Sequence, residues 1–150
     1  MDQNRIHQII DRHQAEPSSL IQVLLDIQTE SRWLPKQALE IVGERLEVPL
    51  SRIQHIATFY KAFSLVPKGR HQVHVCVGTA CHVRGAPRIL GTLEELTGIR
   101  AGETDADLKF SLETVNCLGC CALGPVVKVD DQIHGNVSTA RTAEVLQGYD

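Results

Sequence analysis

The stretches CVGTAC at Cys76–Cys81 and CLGCC at Cys117–Cys121 contain all five cysteines of the 150-residue chain. Both stretches are rich in glycine and small residues, and each follows an apolar run typical of a β-strand. Loops that follow neighbouring strands can converge while the sheet holds them rigid. Two sets of thiolates brought together in this way make a metal site, so the cysteines predict a metal-binding α/β fold.

The apolar pattern around the cysteines predicts the order strand, helix, strand, strand, strand, helix. In chain order these are an alternating strand at 72–77, a helix ended by Gly98, a strand at 108–115, a hairpin at 126–134 and a helix capped by Ser138. A strand-helix-strand unit followed by a hairpin and a packing helix is the order of a thioredoxin-like α/β domain. The cysteine stretches follow the first and second strands of this order.

The first third of the chain reads as four short amphipathic helices, which predict a small bundle. Pro17 is expected to open the second helix, whose apolar stripe runs from Leu20 to Ile27. Ser51 to Gln54 fits a capping box for the fourth helix. Residues 63–70, with a proline and a glycine, look like a linker. The predicted domains are therefore a helical bundle at 1–66 and a thioredoxin-like domain at 67–150.

Composition and charge exclude several classes of protein. A hydrophobic fraction of 43% is enough for a core and too high for a disordered chain. Residues 1–65 contain seven Lys or Arg and eight Asp or Glu, and residues 66–150 contain eight and ten, so no basic face for nucleic acid is implied. The polar start leads into no signal-peptide core, and the longest apolar run, 121–127, is too short to span a bilayer. A cytoplasmic protein with reduced thiols is therefore expected.

The spacing of the cysteines leaves two kinds of metal open. Four residues separate Cys76 from Cys81, and Cys117 is followed by Cys120 after two residues and by Cys121 after three. Structural zinc usually has tight knuckles, whereas wider loops suit two irons bridged by sulfide. On spacing alone, zinc and an iron–sulfur cluster are equally favoured.

A resemblance to a known family separates these alternatives. Three stretches carry it: IATFY at Ile56–Tyr60, CVGTACHVRGA at Cys76–Ala86 and CLGCCALGP at Cys117–Pro125. The combined pattern resembles the thioredoxin-like 2Fe–2S ferredoxins. It is most similar to the small 2Fe–2S (E-type) subunits of NADH dehydrogenase and of NAD(P)-linked hydrogenases and formate dehydrogenases. The likeness covers nearly the whole chain, because that family also places a helical bundle before its ferredoxin domain.

The resemblance implies a 2Fe–2S cluster held by four of the five cysteines. The residues that match the family's ligands are Cys76, Cys81, Cys117 and Cys121. Cys120 matches no ligand and is expected to be a small residue near the cluster or a thiol that polarises it, with Cys120 in place of Cys121 as the rival assignment. Backbone N–H groups of the small residues in both loops are expected to point at the sulfurs. Thr79 is either a hydroxyl donor or a turn residue, and His82 and Arg84 either tune the cluster, meet a partner or are solvated.

The function implied by the resemblance is that of a one-electron carrier subunit with no catalysis of its own. Neither GxGxxG nor a phosphate-loop pattern occurs among the eleven glycines, so no nucleotide site is expected in this chain. The implied partner is a subunit that binds FMN and NAD(P)(H), together with further iron–sulfur subunits. The complex that the resemblance implies is a hydrogenase, a formate dehydrogenase, a complex I-like enzyme or an electron-bifurcating assembly. The helical bundle is expected either to dock this partner or only to cover core.

Two alternatives of other classes remain open from the residues. One is a zinc-stabilised interaction module with the same cysteines. The other is a thiol–disulfide oxidoreductase that uses Cys117 and Cys120 on a thioredoxin-like frame. A thioredoxin motif follows the first strand of its unit and opens a helix, whereas this Cys-x-x-Cys follows a later strand and runs into Gly124-Pro125.

Overall fold

The computed structural model describes residues 1–149, within which the chain forms seven α-helices and four β-strands. By compactness the chain divides into two units, Met1–Pro67 and the residues from Lys68 onward. This division lies one residue after the boundary expected from the sequence. That the two units are independent domains stays a prediction. None of the helices in the described residues is long and apolar enough to cross a membrane.

The first unit consists of the four predicted helices. Their bounds are α1 at Gln3–Arg12, α2 at Leu20–Ser31, α3 at Lys36–Arg45 and α4 at Leu50–Phe59. Each helix contributes apolar side chains to one common core, with Ile9, Leu24, Val42 and Ile53 fully buried. The spacing of three and four residues places such side chains on one face of each helix, so burial of these faces stabilises the unit.

Helices α2 and α4 begin at other residues than the sequence predicts, and a proline lies near each start. Pro17 opens a short 3-10 turn, Pro17–Ser19, and α2 begins only after it. The prediction of a capping box at Ser51 was wrong. Helix α4 begins at Leu50 with Pro49 as its N-cap, and no side chain caps the helix. Pro49 already has the extended ψ of 135° that an N-cap requires, and its carbonyl accepts from the N–H of Arg52 at 2.9 Å. Ser51 therefore lies inside the first turn.

The apolar stripes of α2 and α4 are wider than the faces that the bundle buries. Leu20 and Leu24 are buried, whereas Ile21 and Leu25 lie about 100° further round the helix and are exposed. Tyr60 continues the apolar face of α4 but lies just beyond the end of the helix and is also exposed.

The second unit has the predicted order, with one additional helix. Its elements are β1 at His71–Cys76, α5 at Thr79–Val83, α6 at Ala86–Thr97, β2 at Phe110–Val115, β3 at Val127–Val129, β4 at Gln132–His134 and α7 at Thr139–Gln147. Gly98 ends α6 in the left-handed conformation, and the hydroxyl of Ser138 accepts from the N–H of Arg141 at 3.3 Å, both as predicted. The five-residue helix α5 was not predicted.

The sheet places the ends of β1 and β2 next to each other. Its strand order is β2-β1-β3-β4, with β1 parallel to β2 and antiparallel to β3. The pairing runs in register from His71 opposite Phe110 to Cys76 opposite Val115. Helices α6 and α7 pack on the face of the sheet that carries the valines of β1. Because β1 and β2 are parallel and end in register, the two cysteine loops leave the same edge of the sheet side by side.

The stretch expected to be a linker has no helix or strand, but both of its ends are held. Phe63 is buried in the core of the first unit. On the other side, the N–H of Gly69 donates to the hydroxyl of Ser111 at 2.7 Å, and the N–H of Arg70 donates to the Leu108 carbonyl at 2.8 Å. The part of the linker without such contacts is therefore shorter than the stretch 63–70 that the sequence indicates.

Candidate metal centre

The first cysteine loop brings Cys76 and Cys81 together by means of helix α5. Cys76 is the last residue of β1, and Gly78 then begins the single turn that carries Cys81. The N–H of His82 donates to the Gly78 carbonyl at 2.8 Å and closes this turn. Both thiols are buried, in a small apolar cluster with Ala86 and Val126.

The second cysteine loop is exposed and is shaped by a glycine. Gly119 adopts a positive φ of 78°, a conformation that residues with a Cβ rarely tolerate. Its N–H lies 3.3 Å from the sulfur of Cys117. The chain then forms a 3-10 turn at Cys121–Leu123, which brings the sulfurs of Cys117 and Cys121 to 3.9 Å from each other.

The structure brings the four predicted ligands together and turns the sulfur of the fifth cysteine towards a backbone carbonyl. The Cys76 thiol interacts with the thiols of Cys81 and Cys117, and the Cys121 thiol interacts with those of Cys117 and Cys76. All five cysteines are free thiols. The sulfur of Cys120 instead faces the Leu118 carbonyl at 3.7 Å, and its side chain packs half-buried against the apolar cluster. The assignment of the four as ligands stays a prediction that this placement supports.

The thiols do not ionise equally easily, because their surroundings differ. Burial opposes ionisation of Cys76, but backbone N–H groups of Gly78 and Leu118 and the neighbouring thiols together lower its pKa. Burial, and then the neighbouring Cys76, raise the pKa of Cys81. The pKa of Cys121 is raised by its hydrogen bond to Cys117 and by repulsion from negative charge on the Cys117 sulfur. Ionisation is therefore easier at Cys76 than at Cys81 or Cys121, and a thiolate at Cys76 disfavours further ionisation of those two unless cations bind.

The donor set fits an iron–sulfur cluster. No three His, Cys, Asp or Glu side chains in the described part of the chain surround a single metal position. The donors are thiols alone, two from each loop, and backbone N–H groups of Gly78, Leu118 and Gly119 point at their sulfurs. Iron–sulfur clusters are held by thiolates, and N–H groups directed at the sulfurs offset the negative charge of such a site.

The far side of the second loop is held by residues that the sequence pattern did not single out. The N–H of Asn136 donates to the Leu123 carbonyl at 2.6 Å, and the N–H of Val137 donates to the Pro125 carbonyl at 3.1 Å. Gly124 is buried, and a Cβ added to it would lie 3.1 Å from the Cys81 sulfur. Because these are backbone contacts between distant parts of the chain, no local motif predicts them.

The three neighbours singled out from the sequence fall into different positions. Thr79 is the first residue of α5 and is exposed, as is His82 within the same helix. Arg84 follows α5 and donates to backbone carbonyls of the second cysteine loop. Its side chain therefore connects the two loops, which distinguishes it from a solvated loop residue.

Comparison with known proteins decides the family. The family model of the thioredoxin-like [2Fe-2S] ferredoxins matches residues 6–150. The chain belongs to the thioredoxin-like [2Fe-2S] ferredoxin family. The resemblance seen in the cysteine loops is thereby confirmed, as are the thioredoxin-like fold class and the 2Fe–2S cluster as the cofactor of the family. The family favours iron–sulfur over the zinc alternative that spacing left open.

The relatives of this ferredoxin-family chain are subunits of redox enzymes. It is 34% identical over 142 residues to the "NADP-reducing hydrogenase subunit HndA" of Solidesulfovibrio fructosivorans, covering 95% of this chain and 83% of that one. It is 35% identical over 138 residues to the E-type subunit of the NADH-quinone oxidoreductase of Pseudomonas aeruginosa, covering 91% and 83%.

A solved structure shares the fold of this ferredoxin-family chain. The crystal structure of an NAD+-reducing [NiFe]-hydrogenase in the air-oxidized state aligns with a TM-score of 0.72 over 86% of this chain. The sequence identity is 22%, and the alignment spans 22% of the hydrogenase chain. At this identity the likeness establishes the fold.

Proposed function

We propose that this chain is a one-electron carrier subunit in which Cys76, Cys81, Cys117 and Cys121 hold a 2Fe–2S cluster. The observation that carries the proposal is the convergence of these four thiols at the ends of two adjacent parallel strands, with Cys120 turned towards the Leu118 carbonyl. When bound, such a cluster accepts and releases one electron at a time.

The residues of the two loops have different tasks in this proposal. Cys76 and Cys81 are buried and anchor the site to the end of the sheet. Cys117 and Cys121 are exposed, so the second loop is the side on which a redox partner approaches. The N–H groups of Gly78, Leu118 and Gly119 stabilise negative charge on the sulfurs, and that stabilisation together with exposure sets the reduction potential.

The electron partner that we propose is a subunit that binds FMN and NAD(P)(H), accompanied by further iron–sulfur subunits. NAD(P)H gives up two electrons as a hydride, and a flavin can pass them on singly to a one-electron carrier. The names of two relatives support an NAD(P)-linked complex, and each alignment covers more than nine tenths of this chain. We place this complex in the cytoplasm, where the thiols stay reduced.

Anaerobic purification tests the carrier proposal directly. The chain is expected to contain about two irons and two acid-labile sulfides, and to give a 2Fe–2S electron paramagnetic resonance signal on reduction. Alone it should not oxidise NADH, and activity should appear only when the flavin subunit is added. Colourless protein with stoichiometric zinc would contradict the carrier function. Steady NADH turnover by the isolated chain would contradict the assignment of NADH oxidation to the flavin subunit.

Docking of the flavin subunit is expected to depend on Phe59, which ends α4 and is 72% exposed. Its ring packs edge-on against the exposed Tyr60, with 5.1 Å between the ring centroids. An exposed aromatic pair is the kind of group that dominates binding energy in protein interfaces. Phe59→Ser should therefore weaken binding of the FMN-containing subunit by about tenfold or more.

A matched control for this prediction lies on another helix of the same unit. Leu25 is 41% exposed on α2, and Leu25→Ser should leave the affinity close to that of the wild type. Both substitutions replace exposed side chains, so thermal stability should change little. Equal affinities for the two variants, measured by titration of the flavin subunit, would place the docking surface elsewhere.

A further inference from the structure

Arg84 makes a cluster of contacts with the second cysteine loop. Its Nη1 shares two hydrogens among three carbonyl oxygens, those of Cys121 at 3.2 Å, Ala122 at 3.4 Å and Gly124 at 3.4 Å. These carbonyls belong to the 3-10 turn that carries Cys121 and to the residue that follows the turn. A guanidinium is always charged and offers only donors, so hydrogen bonds to carbonyls suit it and are charge-assisted.

The contacts join two parts of the chain that are far apart in sequence. Arg84 lies three residues after Cys81, whereas Cys121 lies 37 residues further along. The stem of the exposed arginine runs past Gly124, because a Cβ on Gly124 would lie 3.6 Å from the Arg84 Cδ. The guanidinium therefore holds the turn of the second loop against the first loop.

We propose that Arg84 is a positioning residue, which fixes the separation of the two cysteine loops and places a permanent positive charge on the backbone of the turn that carries Cys121. This inference rests on the proposed function, because it concerns the four thiols as ligands. Two effects follow from it. Loss of the hydrogen bonds lets the second loop move, so the cluster is lost more readily. Loss of the charge makes the reduced, more negative state less favourable, so the reduction potential falls.

The test uses the full chain, purified without oxygen, with Arg84→Gln and Arg84→Lys. Arg84→Gln should lose its visible absorbance to an iron chelator about tenfold faster or more than the wild type, and its midpoint potential should be lower. Arg84→Lys keeps the charge, but its side chain is one atom shorter, so its Nζ falls short of the carbonyls that the Arg84 Nη1 reaches. It should therefore keep a potential near that of the wild type while still losing the cluster faster.

Arg88 supplies the matched control. It is an exposed arginine in the first turn of α6 and lines the same surface depression as Arg84. Arg88→Gln should lose the cluster at the wild-type rate. Wild-type rates and potentials for both Arg84 variants would overturn the positioning role. A wild-type chain without iron and sulfide would instead refute the proposed function, so the two failures are distinguishable, and circular dichroism confirms that each variant is folded.

Discussion

Replacing any one of Cys76, Cys81, Cys117 or Cys121 by serine is expected to abolish or severely weaken the 2Fe–2S signal, whereas Cys120→Ala is expected to keep it. A serine hydroxyl is a harder and far less acidic ligand than a thiol, so it does not replace the thiolate that a cluster needs. The four sulfurs form one interacting group, while the Cys120 sulfur faces a backbone carbonyl. The measurements are visible absorbance, iron and sulfide content, and electron paramagnetic resonance after reduction.

The stability of the metal-free variants distinguishes loss of a ligand from loss of the fold, because two of the four cysteines are exposed and two are buried. Cys117 and Cys121 are exposed, so a serine there should leave the free energy of unfolding of the metal-free chain within about 0.5 kcal/mol of the wild type. Cys76 and Cys81 are buried among apolar groups, so a hydroxyl in their place should also destabilise the metal-free chain, by about 1–3 kcal/mol. A colourless Cys120→Ala protein beside a normal Cys121→Ala protein would reverse the ligand assignment.

The fold of the second unit was predictable because its signals are local. Alternating valines define β1, a glycine ends α6, and Ser138 caps α7, and each of these acts within a few residues. Helix α5 was missed because five residues are too few for an apolar period to be recognised. Its single turn, closed by the hydrogen bond from His82 to the Gly78 carbonyl, places Cys81 next to Cys76.

The features missed in the first unit follow from competition between local signals. Ser51 and Gln54 match a capping box, but Pro49 starts the helix earlier, so the serine falls inside it. Ile21 and Leu25 extend the apolar stripe of α2, but only one side of that helix faces the core. A pattern of apolar residues gives the existence of a helix more reliably than its buried side.

The candidate site was predictable as a set of residue types, while its geometry depends on distant contacts. The glycines and cysteines of the two loops are visible in the sequence, and so is their position after strands. The approach of Arg84 to residues 121–124 depends on how the two loops meet in space. For the same reason the sequence does not predict the hydrogen bond from the N–H of Asn136 to the second cysteine loop.

Gly78→Ala is expected to displace the two cysteine loops from each other. A Cβ on Gly78 would lie 2.5 Å from the carbonyl oxygen of Asn116 and 3.6 Å from the Cβ of Cys117. The first of these is a backbone atom, so no side chain can swing away to relieve the contact. The φ of Gly78 is −58°, which alanine adopts without strain, so the whole effect is steric. Unfolding of the metal-free chain should become easier by about 1–3 kcal/mol.

Gly91→Ala in α6 is the matched substitution, because no atom outside the adjacent backbone of its own helix lies within 4 Å of its added Cβ. A glycine inside a helix is less favourable than alanine, so this variant should be more stable by about 0.5–1 kcal/mol and should bind iron normally. The residue before Cys117 must shift in Gly78→Ala, so that variant should also retain about tenfold less iron under a chelator. If Gly78→Ala matched the wild type in both stability and iron content, close contact between the strand ends would not be what holds the thiols together. A loss of stability in Gly78→Ala beside a gain of stability in Gly91→Ala would instead show that a glycine is required where the two cysteine loops touch.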